Sequence, residues 1–381
     1  MNNIDRHGGN IWRIARRYGL RPNEILDFSA NINPLGLSPR VKSAICDNLG
    51  SLISYPDPDC GILKNELSDR IGIDSRGLLI GNGSVELIYL IPRALAVRRA
   101  VVVIPAFCEY ELAVKQSKAK VLFLRTNSKE KFRLNVEGLL KLMPKADLVF
   151  ICNPNNPTGN IIPKEEILYL AKAARAYGVI IAVDEAFIDF VEDWQKFSVI
   201  EEAARSRNLL VLRSMTKFFA LPGLRLGYLV GNKTLISKLS RRQLPWSVNC
   251  LAQSVGAEVI KDESYIKLSR ELAARERAFL FKRLKSKKGI SVYPPASNFI
   301  LSKLTDKRLN SNALCDRLAA HGIYIRSCGN FRGLNSSYFR IAVRKRGENI
   351  KLLAALGEIL ESDASLREKC RGDPCGRPIA F

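Results

Sequence analysis

The chain has 381 residues, of which 47% are hydrophobic and 25% are charged, and this composition predicts a globular protein with two or three domains. Its formal net charge of +23 favours anionic ligands, but no zinc-finger spacing, aromatic RNA-binding signature or long basic tail points to nucleic acid. No apolar run approaches the roughly 20 residues that span a bilayer, so we expect no transmembrane helix and no membrane partner.

Between about residues 78 and 230, short apolar runs alternate with longer helical stretches. The runs are continuous in Val, Ile and Leu, which is typical of parallel strands buried on both faces. The predicted strands are GLLI, AVVVIP, VLFL, DLVFIC, VIIAVDE and NLLVLRS, which begin at residues 77, 100, 121, 147, 179 and 208. Helices are predicted over residues 85–97 and 163–176. This alternation predicts an α/β fold with a mostly parallel central sheet and helices on both faces.

After Tyr228 the pattern changes to long helical stretches that continue to about Lys288. The strands ISVYPP, FILSKL, IYIRS and YFRIAVR follow, with helices around Ala313 and Leu353, and they indicate a smaller α+β domain. We therefore expect four parts: an N-terminal arm with part of the small domain (1–50), a large domain (51–285), the C-terminal small domain (286–360) and a disordered polar tail (361–381).

Polar loops follow two of the predicted strands. The segment Gly81-Asn82-Gly83-Ser84 separates a strand from a helix, and its glycines and free helix N–H groups suit a phosphate, although a tight βα turn would look the same. The loop NPNNPTG begins at Asn153, directly after LVFIC. Ligands bind at this edge of open α/β sheets, so the loop is either part of a site or a structural turn.

Charged side chains follow two other strands. Asp184 ends VIIAVD, where a carboxylate needs a partner because a lone buried charge is costly. A protonated pyridine nitrogen would be such a partner, and a turn aspartate is the alternative. Lys217, in SMTK after LLVLRS, can act as a nucleophile toward an aldehyde if burial and nearby cations lower its pKa. Ser214 and Arg225 could bind an anion beside it.

The segments GNGS, PAF, NPNNPTG, DEAF, SMTK, GLR and FRIAVR occur in the order, and at about the spacing, of the fold-type I aminotransferase family. The resemblance covers nearly the whole chain, to about residue 360. The segments HGGN, LDFSANINPLG, YPDPD and LPWSVN resemble the threonine-phosphate decarboxylases of cobalamin synthesis, to which histidinol-phosphate aminotransferases are close relatives. The resemblance implies the fold-type I architecture, pyridoxal 5′-phosphate as the cofactor, a small phosphorylated amino acid as the substrate and a homodimer.

The resemblance also implies roles for single residues. Lys217 would carry the cofactor as a Schiff base, and Asp184 would pair with its pyridine nitrogen. Phe107 would stack on the ring, and Asn156 would hydrogen-bond the ring's 3-oxygen. The residues implied at the cofactor phosphate are Gly83, Ser84, Val85, Ser214 and Arg225, with Tyr55 reaching the phosphate of the neighbouring subunit. The residues implied at the substrate are His7, Asn31, Arg326 and Arg340, the last on its carboxylate.

One position departs from the aminotransferase pattern. Phe187 stands where many relatives carry tyrosine after DEA, so one hydrogen bond to the cofactor's 3-oxygen would be missing, which favours the decarboxylase. Three functions stay open. The first is decarboxylation of L-threonine O-3-phosphate to (R)-1-amino-2-propanol O-2-phosphate and carbon dioxide. The others are transamination of histidinol phosphate and metabolite binding by a non-catalytic protein of this fold.

The cysteine pattern and the N-terminus bear on the compartment. Nine cysteines at irregular spacing argue against a disulfide framework, and the start MNNIDRHGGN has no apolar stretch of a signal peptide. We therefore expect a cytoplasmic protein with reduced thiols. We expect no metal site, because Cys370 and Cys375 alone do not complete tetrahedral zinc coordination.

Overall fold

The computed structural model describes residues 7–306 and 308–371, with side chains to residue 361. The strands are β1 (Leu26–Asp27), β2 (Leu78–Asn82), β3 (Arg99–Ile104), β4 (Lys120–Arg125), β5 (Leu148–Cys152), β6 (Ile180–Asp184), β7 (Leu209–Ser214), β8 (Leu226–Gly231), β9 (Ile290–Val292), β10 (Phe299–Leu304), β11 (Ile323–Tyr324), β12 (Arg326–Ser327) and β13 (Tyr338–Ala342). The helices are α1 (Ile11–Tyr18), α2 (Pro39–Asp47), α3 (Gly61–Ile71), α4 (Gly83–Ala94), α5 (Glu109–Gln116), α6 (Val136–Leu142), α7 (Lys164–Arg175), α8 (Ile200–Arg205), α9 (Met215–Phe218), α10 (Lys233–Ser240), α11 (Cys250–Val259), α12 (Glu263–Lys285), α13 (Ser311–Ala320) and α14 (Arg346–Arg371).

A seven-stranded sheet in the order β2-β8-β7-β6-β5-β3-β4 forms the centre of the large domain. Its strands are parallel except for β8, which runs antiparallel to both β2 and β7. The predicted fold class, a mostly parallel sheet with helices on both faces, is confirmed. Strand β8 was not among the predicted strands.

The strands of this sheet bury both faces. Val149 and Ile151 of β5 pack into one apolar cluster with α7 and α11, whereas Leu148 and Phe150 of the same strand pack into a second cluster with α4 and α5. Successive side chains of a strand point to opposite faces, so a strand covered on both sides must be apolar at every position. This is the physical origin of the continuous apolar runs.

The small domain is built on the antiparallel sheet β12-β13-β10-β9. Its apolar core joins this sheet to the end of α12 and to α13 and α14, and strand β1 pairs in parallel with β11, which ties the N-terminal segment to this domain. Helix α14 continues to Arg371, so residues 361–371 are helical where a disordered tail was expected. Residues 372–381 lie outside the described residues, as do the side chains of Cys370 and Cys375.

The sheet topology decides where the candidate site lies. The carboxyl ends of the parallel strands β2, β3, β5, β6 and β7 meet at one edge of the sheet, where the polar loops follow. Because β8 runs the opposite way, its amino end lies at this edge too, and Arg225 immediately precedes it. No helix in the described ranges is long and apolar enough to cross a membrane. The cytoplasmic location stays a prediction.

Candidate active site

Asp184 ends the central strand β6 and is only 4% exposed. Its carboxylate accepts hydrogen bonds from the Tyr110 hydroxyl at 2.6 Å and from the backbone N–H of Ala186 at 2.9 Å. Burial raises the pKa of this carboxyl, and the two hydrogen bonds oppose that rise. No basic side chain in the described part of the chain forms an ion pair with it. A cationic group that enters the crevice would therefore find an acceptor already oriented.

Lys217 lies in the single-turn helix α9, directly after strand β7, which neighbours β6. Asn33 fixes this turn: its backbone N–H donates to the Lys217 carbonyl at 3.0 Å, and its side-chain amide donates to the Phe218 carbonyl at 2.7 Å. Burial, together with the positive charges of Arg225 and Arg340, lowers the pKa of the Lys217 amine to about 8. An amine with this pKa has a far larger neutral fraction near physiological pH than an exposed lysine, and the neutral form can attack an aldehyde.

The amino end of α4 forms a candidate anion site. Gly83 begins the helix with a φ of 75°, and a Cβ at this position would lie 2.7 Å from the Arg225 guanidinium. A Cβ on Gly227 of β8 would lie 2.5 Å from the backbone nitrogen of Ser84. Glycine at both positions lets the first turn of the helix, which contains Val85, pack closely against β8 and Arg225. This arrangement suits a phosphate.

The Ser214 hydroxyl belongs to the same edge of the sheet. It lies 2.7 Å from the hydroxyl of Thr216, one residue before Lys217, and both side chains are buried. Two paired hydroxyls leave a further donor for an anion, because each hydroxyl carries one proton and two lone pairs.

Arg340, on β13 of the small domain, reaches the loop that follows β5 at the edge of the central sheet. Its guanidinium donates to the Asn156 side-chain oxygen and to the Ser29 carbonyl, the latter at 2.8 Å, and its Nε has no hydrogen-bond partner. Burial lowers its pKa to about 10. Among the described residues no carboxylate forms an ion pair with this buried cation. Asn156 accepts through its oxygen, so its NH₂ group stays available as a donor.

The other predicted substrate residues are Arg326, Asn31 and His7. Arg326 lies opposite Arg340 on the neighbouring strand β12, is buried, and donates to the Asn330 side chain at 2.9 Å. Asn31 is buried, and its side-chain oxygen has no hydrogen-bond partner. His7 lies 5.5 Å from the Phe107 ring, between centroids, and its Nε2 is 2.8 Å from the carboxylate of Glu109.

Tyr55 lies apart from these residues. Its side chain is 81% exposed and packs against the ring of Trp246, with centroids 4.8 Å apart. Further exposed hydrophobic side chains accompany these two in the same segments of the chain, and together they are called the apolar surface here: Leu49, Leu52, Ile53, Tyr55, Ile62, Leu244 and Trp246.

Three residues that form hydrogen bonds or ion pairs with predicted site residues were not predicted from the sequence. Tyr110 donates to Asp184, Thr216 pairs with Ser214, and Glu109 accepts from His7. Tyr110 is three residues after Phe107 in PAFCEY, and this spacing of two aromatic residues could have identified it as part of the site. Nothing in the local sequence identified Glu109 as the partner of a residue about a hundred positions earlier.

Known proteins share this architecture and sequence. A family model described as Aminotransferase class I and II matches residues 23–356. The chain is 37% identical over 356 residues to threonine-phosphate decarboxylase of Salmonella typhimurium, covering 93% of this chain and 96% of that relative. It is 34% identical over 361 residues to the adenosylcobalamin biosynthesis bifunctional protein CobDQ of Leptospira interrogans, covering 94% of this chain and 41% of that protein. The crystal structure of histidinol-phosphate aminotransferase from Clostridium acetobutylicum matches with a TM-score of 0.83 and 32% identity, over 89% of this chain and 100% of that chain.

The lowered pKa of Lys217 predicts an effect on stability. Between pH 8 and 10.5 the unfolded chain binds a proton at this lysine that the folded, cofactor-free protein does not, so stability rises with pH over that window. Below pH 8 the buried charge costs about 3 kcal/mol. Lys217→Met should therefore raise the free energy of unfolding of the cofactor-free protein at pH 7 by about this amount. The gain should shrink as the pH approaches 10.5.

Urea denaturation at a series of pH values measures the difference. Lys172→Met, which removes an exposed lysine of α7, is the matched control and should change stability little at any pH. A Lys217→Met variant that is less stable than the wild type at pH 7 would contradict the assignment of a buried, disfavoured charge.

Proposed function

The chain belongs to the class I and II aminotransferase family, and we propose that it decarboxylates L-threonine O-3-phosphate in cobalamin biosynthesis. The products are (R)-1-amino-2-propanol O-2-phosphate and carbon dioxide. The 37% identity to threonine-phosphate decarboxylase over nearly the full length of both chains supports this choice. So does the relative whose name places it in adenosylcobalamin biosynthesis. The family predicted from the order of the motifs is confirmed.

Pyridoxal 5′-phosphate is the cofactor of this family, and the residues at the sheet edge fit it. Asp184 is a buried carboxylate without a cation among the described residues, which suits a protonated pyridine nitrogen. The amino end of α4, with Ser214 and Arg225, suits the phosphate, and Lys217 supplies the amine that binds the aldehyde. When bound, the cofactor supplies an electron sink for the pair released when a bond to the substrate's α-carbon breaks.

One observation carries the substrate assignment: Arg340 is a buried guanidinium that no carboxylate among the described residues neutralises. Its hydrogen bonds to Asn156 and to the Ser29 carbonyl fix the plane of the guanidinium. An amino-acid carboxylate would supply the missing charge in the bidentate geometry that arginine favours. In this proposal Arg340 therefore binds the carboxylate that is lost.

The substrate's phosphate would bind to His7, Asn31 and Arg326. Arg326 supplies a buried positive charge, and the buried Asn31 would donate to the phosphate through its side-chain NH₂ group. Because the phosphate is remote from the α-carbon, its binding energy can fix the orientation of the bond that breaks. Two anchored anions at opposite ends of a small molecule leave it little freedom to rotate.

Decarboxylation also needs a proton at the α-carbon. The bond between this carbon and the carboxylate breaks, carbon dioxide leaves, and a proton takes its place. With the substrate bound, the Lys217 amine would be free to act as an acid. With a pKa lowered to about 8, this amine can hold and deliver that proton near neutral pH.

Transamination of histidinol phosphate is the second candidate, and the match to the aminotransferase from Clostridium acetobutylicum favours it. Phe187, where many aminotransferases carry tyrosine, favours the decarboxylase. Its ring is buried and packs edge-on against Phe299 at 5.0 Å, and it offers no hydroxyl to a cofactor.

A homodimer completes the proposal. The apolar surface exposes several large side chains, with Ile53 94% exposed, and surfaces of this kind are typical of protein–protein interfaces. Tyr55 lies within it and would reach the cofactor phosphate of the partner. Burying the apolar surface would stabilise the dimer mainly through the hydrophobic effect.

The proposed reaction predicts gas release. Purified holoenzyme given L-threonine O-3-phosphate should release one carbon dioxide for each amine phosphate formed, and Lys217→Ala should abolish this turnover. Manometry or a coupled carbon dioxide assay, with phosphorus NMR of the product, measures both. Faster turnover of histidinol phosphate with 2-oxoglutarate than of threonine phosphate would reverse the assignment in favour of the aminotransferase.

The proposed dimer predicts the effect of a charge in the apolar surface. Ile53→Asp should raise the dimer dissociation constant at least roughly tenfold, because it places a charge among buried apolar groups. Sedimentation velocity over a concentration series measures this. Tyr169→Asp, at a 55% exposed aromatic of α7 outside the surface, is the control and should leave the dimer intact. A wild-type protein that sediments as a monomer would refute the dimer.

A further inference from the structure

The N-terminal arm, which carries His7, packs against Ser29. The backbone N–H of Gly9 donates to the Ser29 hydroxyl at 2.7 Å. A Cβ on Gly8 would lie 2.3 Å from the Ser29 carbonyl oxygen, so the arm lies flat against this residue. The same carbonyl accepts a hydrogen bond from Arg340. The position of His7 is thus tied to that of the guanidinium assigned to the substrate.

A buried carboxylate holds the imidazole from the other side. Glu109 begins helix α5, and its side chain is 11% exposed. One oxygen is 2.8 Å from His7 Nε2, and the other accepts from the Tyr89 hydroxyl at 2.5 Å. The hydrogen bond from His7 lowers the pKa of Glu109, so the carboxylate is ionised at neutral pH. A rigid anion therefore faces Nε2.

This contact decides which ring nitrogen is left for a ligand. Since the proton on Nε2 is directed at Glu109, only Nδ1 can face the substrate. A neutral imidazole protonated on Nε2 has a lone pair on Nδ1, which would repel a phosphate dianion. The imidazolium ion has a proton on both nitrogens and can donate to both anions at once.

We propose that Glu109 is a positioning residue that fixes the His7 ring, so that Nδ1 faces the phosphate of the substrate. This inference rests on the proposed function, because it takes His7 as a ligand of the substrate's phosphate. Glu109 acts through His7 and touches neither substrate nor cofactor. Loss of Glu109 would weaken binding of phosphorylated substrates and leave the chemical step unchanged.

The neighbouring groups support an ion pair over a metal site. The atoms of His7, Cys108 and Glu109 that could ligate a metal lie within 4.8 Å of one another. Burial and the nearby Glu109 charge raise the pKa of Cys108 to about 12, so it remains a thiol and donates to Glu109 at 3.6 Å. Tyr89 is a neutral donor to the same carboxylate, and Arg326 of β12 is the nearby cation whose charge acts on Cys108. Among these groups Glu109 is the anion, and it faces His7.

The experiment compares wild-type holoenzyme with Glu109→Gln, His7→Gln and the double variant. Glu109→Gln should raise the KM for L-threonine O-3-phosphate roughly fivefold at pH 7, the size expected for a half-exposed ion pair, with kcat unchanged. In the His7→Gln background the Glu109→Gln change should have no further effect, since the two residues act as one unit.

Two controls isolate the effect. Glu165→Gln removes an exposed carboxylate from α7 and should behave as the wild type. L-Threonine, which lacks the phosphate, should bind the wild type and Glu109→Gln equally. Equal KM values for threonine phosphate, or additive effects in the double variant, would overturn the inference.

Equilibrium binding separates this result from the proposed function. The dissociation constant of L-threonine O-3-phosphate, read from the cofactor's absorbance, does not require turnover. A wild-type enzyme that releases no carbon dioxide would refute the decarboxylase proposal, while the ratio of dissociation constants between wild type and Glu109→Gln would still test the role of Glu109. A ratio of one would overturn that role.

Discussion

Two buried side chains of opposite charge, Asp184 and Arg340, reach the same crevice, and neither forms an ion pair within the described part of the chain. Each forms hydrogen bonds with neutral groups: Asp184 accepts from Tyr110 and a backbone N–H, and Arg340 donates to Asn156 and a backbone carbonyl. Neutral partners orient a buried charge but compensate only part of its lost hydration. The protein is therefore preorganised for a ligand that carries a cation at one point and an anion at another. Such a ligand should stabilise the fold by mass action when it binds.

The fold supplies these charges from two domains. Asp184 and Lys217 follow parallel strands whose apolar residues form the core of the large domain, while Arg340 and Arg326 lie on neighbouring antiparallel strands of the small domain. The antiparallel strand β8 adds Arg225 to the same edge, because its amino end lies beside the carboxyl ends of the parallel strands. The N-terminal segment joins the two parts, because Asn33 fixes the turn that carries Lys217 and Ser29 contacts Arg340. Cofactor and substrate ligands thus meet at the domain boundary.

The sequence predicted those features that depend on local pattern. Continuous apolar runs located the parallel strands, and Asp184 and Lys217 stood out because each is a charge at the end of such a run. Strand β8 was not predicted because its sequence, LGYLVG, contains two glycines, which are uncommon in strands. Gly227 is needed there because the backbone of α4 comes close. Tyr110 and Glu109 were not predicted because Asp184 and His7, their partners, are distant in sequence. Only the tertiary structure brings each pair together. The role of Tyr55 depends on a second subunit, which a single chain does not contain.

Reduction of the holoenzyme with borohydride, followed by proteolysis and mass spectrometry, tests the central claim directly. We expect one pyridoxyl group per chain, on the peptide that contains Lys217, and weaker cofactor retention when Asp184 is replaced by Ala. A pyridoxyl group on any other lysine, or full retention of the cofactor by Asp184→Ala, would contradict it.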